Sequence, residues 1–126
     1  MGKEAAIFGF FSSFGVQAFE QNSVPDGKDR PEYPYITYEL KTDRFSEYDT
    51  SVIFSIWDDN NSIERLIGIA KSIASYLGRM GKVIKIDDGY ILIMADNPFC
   101  EIGADEAIKT VKRARCSLKM RFYTNT

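Results

Sequence analysis

The sequence contains no histidine. That closes the Ser-His and Cys-His nucleophile pairs and every zinc site that needs an imidazole. Cysteine is almost as scarce: Cys100 and Cys116 are the only two. They are too few and too far apart in sequence for a metal knuckle or a disulfide framework, so a reducing compartment is the default expectation. Cys116 reads as a small buried hydrophobe. No apolar run reaches the length that crosses a bilayer, and the apolar part of the N-terminal stretch, Ala5 to Phe11, is followed by no small-x-small cleavage signal. There is no GxxxxGK[ST] loop, no GxGxxG after a strand, no HExxH and no GxSxG. The carboxylates offer many pairs, but none is marked out by its context. The expectation is therefore a protein without catalytic residues, metal or cofactor.

Acids are absent from one region. Between Ala107 and Thr126 stand Lys109, Lys112, Arg113, Arg115, Lys119 and Arg121 and no Asp or Glu, which leaves residues 1–106 with ten cations against eighteen acids, a net of −8. The chain is electrically two-sided, which suggests an anionic partner for one surface or head-to-tail contact between copies. The stretch Ala107 to Tyr123 alternates with period two: Ala114, Cys116, Leu118, Met120 and Phe122 fall on one side, and Arg113, Arg115, Ser117, Lys119, Arg121 and Tyr123 on the other. A helix would scatter the same apolar residues around its axis, so a long strand with one apolar and one cationic side is predicted. Lys109, Arg113, Arg115, Lys119 and Arg121 are the candidate contact residues, for DNA or for a neighbouring subunit. Phosphate contact there would be non-specific and salt-dependent. The alternative is a solvated outer face whose cations guard against edge pairing.

At 126 residues and 44% hydrophobic composition, the chain reads as one globular domain. Ile7, Phe10, Phe11 and Phe14 stand at i, i+3, i+4 and i+7, so residues 1–16 are predicted as a short helix docking on the domain or on a neighbouring subunit. These four are the candidate oligomer contacts. Residues 17–31, polar and carrying Pro25-Asp26-Gly27, read as a flexible loop. Glu32 to Leu40 and Tyr48 to Trp57 alternate as strands. Asp58 to Asn61 stop the second strand, and Asn61 with Glu64 forms a capping box for a helix. An Asp-rich cation site is the rival reading of Asp58 to Asn61, and capping accounts for them without it. Ile63, Leu66, Ile67, Ala70, Ile73, Ala74 and Leu77 form the apolar stripe of that helix, and Gly78 or Gly81 ends it. Asp87-Asp88-Gly89 joins Val83–Ile86 to Tyr90–Met94 as a tight hairpin. Asn97-Pro98-Phe99 breaks the pattern, and Cys100 to Glu106 reads as a loop. The predicted class is α+β: a mostly antiparallel or mixed sheet of about five strands, with one main helix packed on it and a short N-terminal helix.

From Tyr33 onward the layout resembles the small tail-terminator and tail-to-head joining proteins of long-tailed bacteriophages and their prophage relatives. The residues that carry the resemblance are Tyr33-Pro34-Tyr35-Ile36-Thr37-Tyr38-Glu39-Leu40 after a polar loop, and Ile56-Trp57-Asp58 ending the next strand before a helix. Further on come Asp88-Gly89-Tyr90, Asn97-Pro98-Phe99 and the acidic-then-basic run Asp105 to Arg113. The order of these motifs, more than any one of them, makes the likeness. The resemblance implies a homo-oligomeric ring, commonly of six subunits, that caps the finished tail tube, attaches to the neck or connector proteins of the head and lets genomic DNA pass. It implies a place in the virion after synthesis in the bacterial cytoplasm, with no catalysis and no membrane. A head-completion or neck connector protein and a stand-alone non-specific nucleic-acid-binding domain are the alternatives.

Overall fold

The computed structural model describes residues 2–39, 50–59, 63–104 and 110–124. Among the described residues two α-helices, α1 (Lys3–Ser12) and α2 (Glu64–Leu77), accompany six strands: β1 (Gln17–Glu20), β2 (Tyr35–Tyr38), β3 (Thr50–Asp58), β4 (Lys82–Ile86), β5 (Gly89–Ala104) and β6 (Lys112–Thr124). The strands form one sheet in the order β1-β2-β3-β6-β5-β4. β1 runs parallel to β2 and every other pairing is antiparallel, so the α+β class with a mixed sheet is as expected.

The apolar side of the sheet curls around the helices. α2 packs on β3, β5 and β6, while α1 touches both β1 and β4, the two outermost strands of the sheet. Phe11 is fully buried, with its ring stacked 4.6 Å from Tyr38 and 5.1 Å from Phe54. Phe10 and Phe14 meet Tyr76 of α2, which ties the helices to each other. On α2, Leu66, Ala70, Ile73 and Leu77 are buried as the stripe predicts, whereas Ile63 is exposed. Gly78 ends α2 with a positive φ of 63°. Gly81 is required for a different reason: its φ is +78°, and a Cβ there would fall 2.5 Å from the carbonyl oxygen of Ile93.

Three expectations change. The first strand, Gln17–Glu20, lies in the segment read as a loop; it gains its place by pairing with β2 in the register Gln17↔Tyr35 to Glu20↔Tyr38, so the sheet has six strands rather than five. β5 continues through the predicted loop to Ala104, because Cys100–Ala104 pair with Lys112–Cys116 of β6. The break falls between Ala95 and Cys100, where Asp96-Asn97-Pro98-Phe99 stand opposite Ser117 alone. Finally, the residue flanking α2 is Ile63, which makes no side-chain cap. Leu40, Tyr48 and the proposed capping residue Asn61 lie outside the described residues. The Tyr33–Pro34 and Asn97–Pro98 peptide bonds are cis.

Candidate interaction face

β6 sits between β3 and β5 near the middle of the sheet, and its alternation assigns its two sides as predicted. Ala114, Cys116, Leu118, Met120 and Phe122 are buried under the helices. Arg113, Arg115, Ser117, Lys119, Arg121 and Tyr123 point the other way, onto a sheet face that neither α1 nor α2 covers. Four of the five predicted contact cations are thus on one strand side; Lys109 lies outside the described residues.

The register shows what surrounds each cation. Arg113 lies opposite Trp57, with its guanidinium 4.8 Å from the indole centroid, and its Nε donates to Ser55 Oγ at 2.9 Å. The residue is held in place by a cation–π contact and a hydrogen bond. Arg115 is exposed and lies between Ser55 on β3 and Glu101 on β5. Lys119 Nζ is 3.8 Å from Asp96. Arg121 Nη1 donates to the Tyr123 hydroxyl at 3.3 Å, and Tyr123 stacks on Tyr90 with centroids 4.9 Å apart. The face is therefore less uniformly positive than residues 107–126 suggested. β5 inserts Glu101 and Asp96 beside Arg115 and Lys119, and only the fold brings those acids there.

The four candidate oligomer contacts fall differently. Ile7, Phe10 and Phe11 belong to the domain's own core and Phe14 packs partly against it, because α1 is the element around which the sheet curls. They offer a neighbouring subunit little surface. Among the large apolar side chains of α1, Phe8 reaches solvent, 49% exposed.

Arginines and aromatics converge at one end of the open face. Gln21, Val24, Arg30, Tyr33, Tyr35, Thr37, Trp57 and Arg113 line a pocket of about 400 Å³. Tyr33 and Tyr35 lie 5.3 Å apart, Trp57 Nε1 donates to Thr37 Oγ1 at 2.9 Å, and Arg30 Nη2 donates to the Tyr33 hydroxyl at 3.1 Å. Sequence reading placed Tyr35, Trp57 and Arg113 in separate segments. Their common outward parity was visible, but not the pairing that makes them neighbours.

Two further arrangements were not anticipated. Asp58 is 1% exposed and holds Arg65 through both carboxylate oxygens, with Arg65 Nε to Oδ2 at 2.8 Å and Arg65 Nη2 to Oδ1. This pair fastens the end of β3 to the first turn of α2, and the hydrogen bond to Asp58 raises the Arg65 pKa further. Cys100 and Cys116 face each other across β5 and β6 as free thiols. Burial first, and the neighbouring Cys100 second, push the Cys116 thiol well above its ordinary value, so it stays protonated. Among the described residues there is no cluster of metal-ligating side chains. No family model matches the chain, and no curated protein matches it.

Proposed function

We propose that the protein is a non-catalytic, ring-forming structural subunit of the tail-terminator kind. In this reading a homo-oligomer of about six copies closes the end of a phage tail tube, joins it to the neck proteins and leaves a passage for DNA. The observation that carries the reading, beside the resemblance, is the uncovered sheet face, on which β6 sets Arg113, Arg115, Lys119 and Arg121 on one side of a single strand. Such a face suits an anionic surface that slides past or a neighbour's acidic edge, and it has no base-reading helix. The two sheet edges add support. β1 ends in Glu20 and β4 carries Lys82 and Lys85, so the edges differ in charge and favour head-to-tail over self-to-self contact.

Electron microscopy of the concentrated protein, alone and with tail tubes, tests this directly. Rings with a central hole on tube ends are the expected result. The double substitution Arg115→Glu with Lys119→Glu should abolish them or block tail completion while the domain stays folded. Tails completed at the normal rate by that variant would sink the proposed role of the face. A protein that stays strictly monomeric on and off the tube, yet binds short DNA tightly, would favour the stand-alone nucleic-acid-binding reading.

A further inference from the structure

The pocket at the β1–β2 end of the open face brings two arginines to one concave site. Its two guanidiniums, Arg30 and Arg113, come from segments far apart in sequence, and among the described residues neither forms an ion pair with a carboxylate. By contrast Lys119 has Asp96 beside it, and Arg65 has Asp58. In a chain whose residues 1–106 carry a net of −8, two arginines lining one concave site without an acid are an arrangement that an anion would complete.

Both guanidiniums are also oriented. Arg113 is pinned through its Nε by Ser55 and lies over the Trp57 ring, which leaves its two terminal nitrogens for a ligand. Arg30 is steadied by the Tyr33 hydroxyl. That planar fork suits two oxygens of one phosphate, with little ordering left to do on binding. The rings of Tyr33, Tyr35 and Trp57 line the same pocket. The Thr37 hydroxyl already accepts from Trp57, so its own hydrogen is free to donate, and Gln21 presents an amide that can both donate and accept. The volume of about 400 Å³ lies within the range of small-ligand pockets and is far too small for a duplex.

We propose that this pocket binds a single nucleoside 5′-phosphate unit. The phosphate meets the guanidiniums of Arg30 and Arg113, the base stacks on the Tyr33 and Tyr35 rings beside Trp57, and Gln21 meets the base edge. The same chemistry is offered by a free nucleotide and by the phosphorylated end of a single strand. The proposal does not rest on the ring reading: a monomer would bind equally well.

Trp57 is the only tryptophan in the chain, so its fluorescence reports on this site alone. The full-length protein should be titrated with a nucleoside 5′-monophosphate, with the same nucleoside lacking phosphate, with inorganic phosphate, and with short single strands bearing or lacking a 5′-phosphate. Excitation on the red edge of the indole band avoids absorption by the bases. A saturable change with the monophosphate or the phosphorylated strand, at least about tenfold tighter than with nucleoside or phosphate alone, is the expected result. Response to the monophosphate alone assigns a free nucleotide, and response to the phosphorylated strand alone assigns a strand end. Arg30→Ala, at an exposed position that leaves folding intact, should weaken binding about tenfold or more. The proposal is overturned if no nucleotide gives a saturable signal, if the nucleoside binds as well as its phosphate, if Arg30→Ala changes nothing, or if an acidic peptide saturates the signal while nucleotides do not.

Discussion

The two faces of the sheet are built from the same strands and have opposite fates. On the helix side, Ile36, Phe54, Ile56, Leu118 and Met120 are almost fully buried, and the strands curl until α1 meets both outer strands. On the other side, Phe19, Tyr35, Ile53, Trp57 and Leu92 are half-buried, with cations and acids among them. Alternation alone decides which residue goes where. The composition of the covered face follows from one strand at a time. The composition of the open face depends on which strands lie side by side, and so on topology.

The largest expected effect tests that contrast. Phe11→Ala removes a ring packed on Tyr38 and Phe54 and should cost about 3–5 kcal/mol in urea unfolding. Phe19→Ala, on the open side, should cost about 1 kcal/mol. Equal losses would show that the open face is as much a core as the covered one. Next, Asp58→Ala should cost about 2 kcal/mol by the same measurement, because it removes a buried carboxylate that makes two charge-assisted bonds. Arg65 is half-exposed and can rehydrate, so the loss stays below that of a wholly buried pair.

A smaller, pH-dependent effect comes from Cys116. Its thiol is protonated more firmly in the folded than in the unfolded chain, so its contribution is complete below the ordinary thiol pKa of about 8.5 and fades as pH rises above it. Stability should fall by up to about 1.4 kcal/mol per pH unit in that window, and Cys116→Ala should flatten the profile there. Tyr38, raised by burial and by Glu20, adds a second decline above about pH 10. A profile that rises through the thiol window would contradict the burial argument. The smallest effect belongs to the open face: Arg115→Gln should change unfolding free energy by no more than about 0.5 kcal/mol. A larger loss would mean that Arg115 is structural rather than a contact residue.

How far the sequence foretold the structure depends on the range of the forces involved. β3, β6, α2 and the hairpin at Gly89 were legible because their apolar periods are long and local. β1 was not, since Gln17–Glu20 is four residues long and owes its form to a parallel partner eighteen positions away in register. The far half of β5 was hidden because Pro98 and the unpaired residues around it interrupt the alternation. Glu101 and Asp96 reach the cationic strand only through pairing, which no single-strand pattern contains. The Asp58–Arg65 pair does have a local signal: Asp58 continues the inward series Val52, Phe54, Ile56, and a carboxylate on the core side calls for a cation such as Arg65.

The interruption at Asp96–Phe99 also separates the two halves of β5. Before it, the odd-numbered Ile91 and Ile93 face the helices; after it, the even-numbered Cys100 does, and each half takes its register from β6 rather than from the other half. The chain between Asp96 and Pro98 is consequently a place where length is free. Adding or deleting a residue there alters the size of the bulge and leaves both flanking ladders aligned. The same insertion within β6 would turn every later side chain inside out. A small insertion for labelling or cross-linking therefore belongs in this bulge.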